Sequence, residues 1–93
     1  MDLRRWVMDV FIEQIKMAKP GDEIRLSHTR YNPQIVFAVL RQMGYSDGNP
    51  MPLSVGSCVT TFSKTGAYDI NVYSNALTFE LSLRFHEPCK YWL

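Results

Sequence analysis

This 93-residue sequence has little cysteine and no excess of charge of one sign. Its two cysteines, Cys58 and Cys89, are too few for the disulfide framework that stabilises many small secreted domains. Ten Lys and Arg against nine Asp and Glu give a formal net charge of +1. A protein that relies on non-specific neutralisation of phosphates is normally more basic. The charge balance therefore argues against a polybasic, histone-like protein.

Long apolar runs are also missing. No stretch approaches the ~20 residues that a helix needs to span a bilayer. The apolar stretch near the amino terminus is interrupted by Asp9, Glu13 and Lys16, and no small-residue cleavage site follows it. No signal peptide is therefore predicted. We expect a cytoplasmic protein that does not bind membranes.

Recognisable catalytic motifs are lacking as well. The stretch Ser54-Val55-Gly56-Ser57 does not match the Gly-x-Ser-x-Gly elbow of serine hydrolases. The glycines near the middle of the chain are not followed by the Lys-Ser/Thr ending of a phosphate-binding loop. His86 and Cys89 are close in sequence, but that spacing does not orient an imidazole against a thiol. We therefore expect no enzymatic activity and no cofactor.

The chain has few His and Cys residues that could ligate a metal ion. Four ligands would suffice for a tetrahedral zinc site, and the chain has four candidates: His28, Cys58, His86 and Cys89. In the strand arrangement predicted below, Cys58 and His86 are more than ~20 Å apart at about 3.3 Å per residue. No metal site is therefore predicted.

The composition of the chain, with 46% hydrophobic and 20% charged residues, is typical of a globular protein. Its length fits a single domain over residues 1–93, and folding should remove roughly 65% of the unfolded surface from water. Apolar residues recur every three or four positions over residues 3–18, which predicts a helix. Pro20-Gly21 ends it, and residues 23–28 alternate as a short strand.

The next segment carries clear helix signals. Asn32 is a favoured N-cap, and Pro33 suits the first helical position because its missing N–H needs no partner there. Gly44 is a typical residue just beyond a helix end. The apolar run 35–40 is compatible with a buried strand by periodicity alone, but these flanking signals favour a helix.

From residue 57 the pattern changes to the period of two that is typical of strands. Residues 59–62 and 68–73 form two strands, joined by a hairpin turn at 64–66, and Ser74-Asn75 turns the chain again. A long alternation predicts a third strand over 77–86 with one face in the core. Its core-facing residues would be Leu77, Phe79, Leu81, Leu83 and Phe85.

The order helix, strand, helix and three-stranded meander predicts an α+β fold, with two helices packed on one face of a small antiparallel sheet. Residues 45–56 contain two prolines and two glycines and are predicted to be irregular. Such a loop on a small domain often carries a binding function.

Protein binding is the function class that these features favour. The last strand is expected at a sheet edge, which can pair with a partner's strand or with a second copy of the chain. Trp92 either covers the core or contacts a partner, and both alternatives stay open. The expected partner contacts belong to the residue types that anchor interfaces: Tyr45, Met51, Tyr73, Arg84 and Trp92.

Nucleic-acid binding is the alternative. Arginine with an aromatic residue can neutralise phosphate and stack on a base, and the element order has some likeness to winged-helix proteins. A recognition helix, however, presents polar side chains to the major groove, whereas residues 34–40 are almost wholly apolar. The residues that would bind lie just before the second helix: Arg25, His28, Arg30 and Tyr31.

We therefore expect a small protein that regulates or inhibits a protein partner stoichiometrically. Phages and other mobile elements encode such stand-alone inhibitors of host machinery, and the absence of motifs suits that class. The alternative is a nucleic-acid-binding regulator that uses Arg25, Arg30 and Tyr31.

Overall fold

A computed structural model describes residues 3–27 and 32–88 of the chain, with side chains for 8–26 and 32–88. It contains two helices and an antiparallel sheet, which confirms the predicted α+β class. The elements in chain order are α1 (Leu3–Met17), β1 (Glu23–Ser27), α2 (Pro33–Gln42), β2 (Ser46–Asp47), β3 (Met51–Ser54), β4 (Ser57–Ser63), β5 (Asp69–Asn75) and β6 (Glu80–His86).

The capping signals around α2 act as predicted. The Ile35 backbone N–H donates to Asn32 Oδ1 at 2.9 Å, so the Asn32 side chain satisfies one of the free donors of the first turn. Pro33 is the first helical residue. Gly44 follows the helix at φ +96°, in the left-handed region that glycine adopts without strain. The apolar run 35–40 is therefore helical.

The sheet has the strand order β1-β6-β5-β4-β2, and β3 also pairs with β4. Every pairing is antiparallel. Because β6 lies between β1 and β5, the expectation that the last strand forms a sheet edge was wrong. The edges are β1 on one side and the short strands β2 and β3 on the other. The first strand occupies the position beside β6 because Ile24 and Leu26 then face Leu83 and Leu81 across the pair.

Both helices pack on one face of this sheet around a single core. Its largest residues include Phe62, which is fully buried and whose ring centroid lies 5.3 Å from that of Phe37. The strand residues of the core alternate along β4, β5 and β6, so their other neighbours face the opposite side. The buried cluster comprises Phe11, Ile15, Val36, Val39, Leu40, Phe62, Ile70, Val72, Leu81, Leu83 and Phe85.

Residues 45–56 are not irregular throughout, as the sequence had suggested. They supply β2 and β3, which pair with successive parts of β4. Pro52 is tolerated in β3 because this strand lies on the outer edge, where a missing N–H removes no bond from the interior of the sheet. The Gly48 N–H donates to the Thr61 carbonyl at 2.7 Å and continues the contact between the two strands. The sheet therefore has six strands instead of four.

The last strand is also shorter than predicted, because it begins at Glu80 and not at residue 77. Residues 76–79 form the turn that had been placed at Ser74-Asn75, and those two residues complete β5. Asn75 causes the shift: its Oδ1 accepts from the backbone N–H groups of Leu77 and Thr78 at 2.9 and 3.1 Å. Such side-chain bonds to the backbone compete with strand pairing.

Candidate protein interface

The sheet face opposite the helices carries no second layer among the residues that the structure describes. Its side chains come from the positions that alternate with the core residues, and most are polar. We call this surface the uncovered face. Its members on β4, β5 and β6 include Ser57, Val59, Thr61, Asn71, Tyr73, Asn75, Glu80, Ser82 and Arg84.

Tyr73 and Arg84 form the centre of the uncovered face. The Arg84 guanidinium carbon lies 4.7 Å from the centroid of the Tyr73 ring, which is a cation–π contact. Arg84 Nε also lies 3.6 Å from Glu23 Oε2 on β1. These two contacts hold the arginine across neighbouring strands while half of its side chain stays exposed. The pair can therefore meet a partner with little loss of side-chain freedom.

A row of residues crosses the sheet through Tyr73. The strand register places Tyr73 beside Val59 on one side and Ser82 on the other, and Val59 in turn pairs with Met51 of β3. Val59 is 9% exposed although it faces away from the core. A groove of about 200 Å³ runs beside this row, bounded by Leu53, Tyr73 and Arg84. The uncovered face therefore has a groove, and an apolar strip crosses its polar surface.

Exposed apolar side chains continue from one end of this groove onto two adjacent turns. Leu53 and Val55 belong to the β3–β4 hairpin, and Leu77 and Phe79 belong to the β5–β6 turn. We call these four residues the apolar turn patch. Their exposed fractions are 54% for Leu53, 85% for Val55, 66% for Leu77 and 63% for Phe79. Exposed apolar side chains grouped on neighbouring turns commonly mark a binding site.

Hydrogen bonds fix the two turns of the patch against each other. The Ala76 N–H donates to the Gly56 carbonyl at 2.8 Å, and Asn75 Nδ2 donates to Ser57 Oγ at 2.9 Å. A Cβ built on Gly56 would lie 2.7 Å from Leu77 Cγ, so the leucine packs directly on that glycine. The patch is thus held in one arrangement by bonds between segments about twenty residues apart.

Three of the five expected partner contacts lie on this surface. Tyr73 and Arg84 touch, and Met51 joins the same row through Val59. Tyr45 does not lie with them: it is half-buried against the core on the helical side, with Lys64 Nζ 5.7 Å from its ring centroid. Trp92 lies outside the described residues.

Of the residues considered for nucleic-acid binding, the structure places only Arg25. It pairs with Ser82 at the β1 edge of the uncovered face, and its Nε lies 2.9 Å from Glu23 Oε1. His28, Arg30 and Tyr31 lie outside the described residues. The described charges of this face are mixed, because Glu23, Asp69 and Glu80 share it with Arg25 and Arg84.

The sequence reasoning missed the apolar turn patch. Leu77 and Phe79 continue the alternation of β6, so they were assigned to the core. The available signal was Asn75, since asparagine commonly bonds to the backbone two residues on and begins a turn. Phe79 itself adopts φ +56°, which is uncommon for a non-glycine residue and marks the end of the turn.

Residues 3–27 and 32–88 contain neither a metal-ligand cluster nor a membrane-spanning helix. Within these ranges, no three His, Cys, Asp or Glu side chains come together as metal ligands. Cys58 pairs with Ser74 at one end of β5, whereas His86 pairs with Asp69 at the other end. Cys89 lies outside the described residues. No helix in the described ranges is long and apolar enough to cross a membrane.

Comparison with known proteins gave no match, since no family model, no curated protein and no solved structure is detectably similar to this chain. The chain is therefore described by its own geometry. It is a small two-layer α+β domain in which the described residues leave one sheet face open, with an apolar turn patch at the end of that face.

Proposed function

We propose that this protein binds a protein partner stoichiometrically, as a regulator or inhibitor, through the uncovered face and the apolar turn patch. The observation that carries the proposal is the continuity of two features. The Tyr73–Arg84 pair borders the groove, and Leu53 belongs both to that groove and to the patch. The result is one surface with apolar anchors at its end and a polar, aromatic centre.

The residue types on this surface suit a protein interface. Tyrosine and arginine are enriched among residues that contribute most to binding energy, and apolar side chains surrounded by polar ones resemble interface cores. Exposing the apolar side chains of Leu53, Val55 and Leu77 to water is unfavourable unless a partner covers them. The hydrogen bonds of Asn75 and Ala76 also keep the patch ordered before binding, which reduces the entropy lost on association.

The charge pattern favours protein over nucleic acid as the partner. Arg25 and Arg84, the arginines that the structure describes on the uncovered face, lie within 4 Å of Glu23, which neutralises part of their charge. Asp69 and Glu80 add negative charge on the same face. Phosphate binding would require an excess of positive charge, and affinity would then fall steeply with salt. The experiment below therefore uses nuclease to test whether binding depends on nucleic acid.

The test is capture of partners from a cell lysate, with and without nuclease, by the tagged wild-type protein and two variants. Tyr73→Ala/Arg84→Ala removes the centre of the surface. Phe79→Asn replaces an apolar anchor by asparagine, which tolerates the positive φ of this position. Tyr68→Ala is the matched control, because Tyr68 is 38% exposed and lies at the opposite end of the β4–β5 hairpin.

We expect a specific protein to be retained after nuclease treatment. Binding of the purified partner should weaken at least about tenfold in Tyr73→Ala/Arg84→Ala and in Phe79→Asn, while Tyr68→Ala binds normally. Circular dichroism must show that every variant is folded. Capture that disappears with nuclease, or equal affinities for all folded variants, would reject the proposal.

A further inference from the structure

A second concave surface lies away from the proposed interface, at the other end of the β4–β5 hairpin. It is an open groove of about 380 Å³ between the C-terminal ends of α1 and α2 and the turn that joins β4 to β5. Sites for small molecules typically have about 300–1,000 Å³. The groove is therefore large enough for a small ligand.

The floor of this groove is apolar and formed by the core. It includes Ile15 and Phe85, which belong to the buried core, together with the half-buried Met43. Tyr45 and Tyr68 stand at its sides. Burial raises the pKa of the Tyr45 phenol above its ordinary value of 10.0, so this wall stays neutral at physiological pH. An alkyl chain laid on this floor would cover carbon atoms of Met43, Tyr45 and Tyr68, which stay partly exposed beside the buried core residues.

Lys64 provides a fixed positive charge at the rim. Its Nζ donates to the Met43 carbonyl at 2.7 Å and lies 5.7 Å from the Tyr45 ring centroid. Its stem crosses Gly44 so closely that a Cβ there would lie 3.3 Å from Lys64 Cε. A lysine ammonium has three donors, and the Met43 bond uses one. Across the described part of the chain, no carboxylate lies within 4.0 Å of Nζ.

The charges that line the groove have one sign. Lys16 and Lys64 are its charged residues, and no described Asp or Glu lines it. Lys16 Nζ is 3.7 Å from Glu13, and both of those side chains are more than half exposed, so this pair is weak. An apolar floor beside an uncompensated ammonium is complementary to a ligand with an apolar body and one anionic group.

We propose that this groove binds a small amphipathic carboxylate, a medium-chain aliphatic acid, with its chain on the floor formed by Ile15, Met43 and Phe85 and its carboxylate on Lys64. The carboxylate takes the ammonium donors that Met43 leaves free, in a charge-assisted hydrogen bond. The site is separate from the proposed protein interface, so either can be rejected without the other.

The experiment titrates the ¹⁵N-labelled protein with sodium decanoate and, separately, with decan-1-ol as the uncharged control, both below the concentration at which they aggregate. We expect saturable shifts at the amides of Gly66, Ala67 and Tyr68, with decanoate bound about tenfold more tightly than decanol. In Lys64→Met, which keeps the aliphatic stem, that preference should disappear. Lys64→Arg should restore it.

Ala67→Trp gives an independent test, because a large side chain at the groove wall would occupy the site. Loss of decanoate binding in this variant, with an otherwise unchanged spectrum, would support the proposal. Equal affinities for decanoate and decanol, unchanged binding in Ala67→Trp, or shifts centred on the apolar turn patch would each overturn it.

Discussion

Gly56 and Leu77 show how single residues shape the proposed interface. Gly56 has φ +81°, a conformation that L-residues adopt only with strain. Its missing Cβ also leaves room for Leu77, whose Cγ would otherwise lie 2.7 Å away. One glycine thus permits both the β3–β4 turn and the contact between the two turns of the patch.

We predict that Gly56→Ala destabilises the fold more than Gly21→Ala. Gly21 has a similar φ of +93°, but a Cβ at that position would have nothing within 4 Å, so its substitution costs about 1–2 kcal/mol of backbone strain alone. Gly56→Ala adds the clash with Leu77, which Gly56→Ala/Leu77→Ala should relieve. Urea unfolding measures all three variants. Equal losses for the two single variants would contradict the contact.

At the scale of elements, an ion pair ties the short edge strand β2 to α2. Arg41 Nη2 and Nε lie 2.9 and 3.3 Å from the two carboxylate oxygens of Asp47, a bidentate arrangement. The hydrogen bonds from Arg41 hold the pKa of the Asp47 carboxyl below its ordinary value of 3.8. The pair joins two elements that are close in sequence and helps to position a strand of only two residues.

This pair predicts a pH-dependent contribution to stability. Because the folded pKa of Asp47 is lowered, its contribution is present above the unfolded pKa and is lost as pH falls through the folded pKa. Asp47→Asn should therefore be less stable than wild type at about pH 6, and the difference should shrink as the pH falls below about 4. Urea midpoints measured at several pH values test this. A difference that stays constant with pH would show that the charge is not responsible.

At the scale of the whole molecule, both helices and the sheet share one core. Phe62 of β4 is fully buried and contacts Phe37 of α2 through their rings, while Phe11 and Ile15 of α1 belong to the same cluster. No element of the described chain has a second core of its own. Helices and strands should therefore unfold together in one cooperative transition.

We predict that Phe62→Ala lowers the free energy of unfolding by about 3–5 kcal/mol, a large part of the ~5–15 kcal/mol typical of a domain. Leu53→Ala is the control: Leu53 is 54% exposed, and its truncation should change stability by no more than about 0.5 kcal/mol. Far-UV circular dichroism and methyl NMR signals should give the same urea midpoint for each protein. Separate midpoints for the two probes would contradict a single shared core.

Local patterns in the sequence were sufficient to predict the helices, the fold class and part of the candidate site. Asn32 and Pro33 marked the start of α2, because capping depends on neighbouring residues alone. The alternation along β5 placed Tyr73 away from Ile70 and Val72, since strand geometry sends adjacent side chains to opposite faces. The polar face and its tyrosine were therefore predictable without coordinates.

The tertiary structure alone decided the pairing of β2 and β3 with β4, the interior position of β6 and the contact between the two turns of the apolar turn patch. Leu77 and Phe79 follow the alternation of a core strand. Residues 76–79 nevertheless form a turn, because the Asn75 side chain accepts from the Leu77 N–H and the Gly56 carbonyl accepts from the Ala76 N–H. The bond to Gly56 joins segments that are distant in sequence, so no local window contains it. Periodicity reports which face a residue would take in a strand, but only the assembled sheet determines where each strand begins and which edge it occupies.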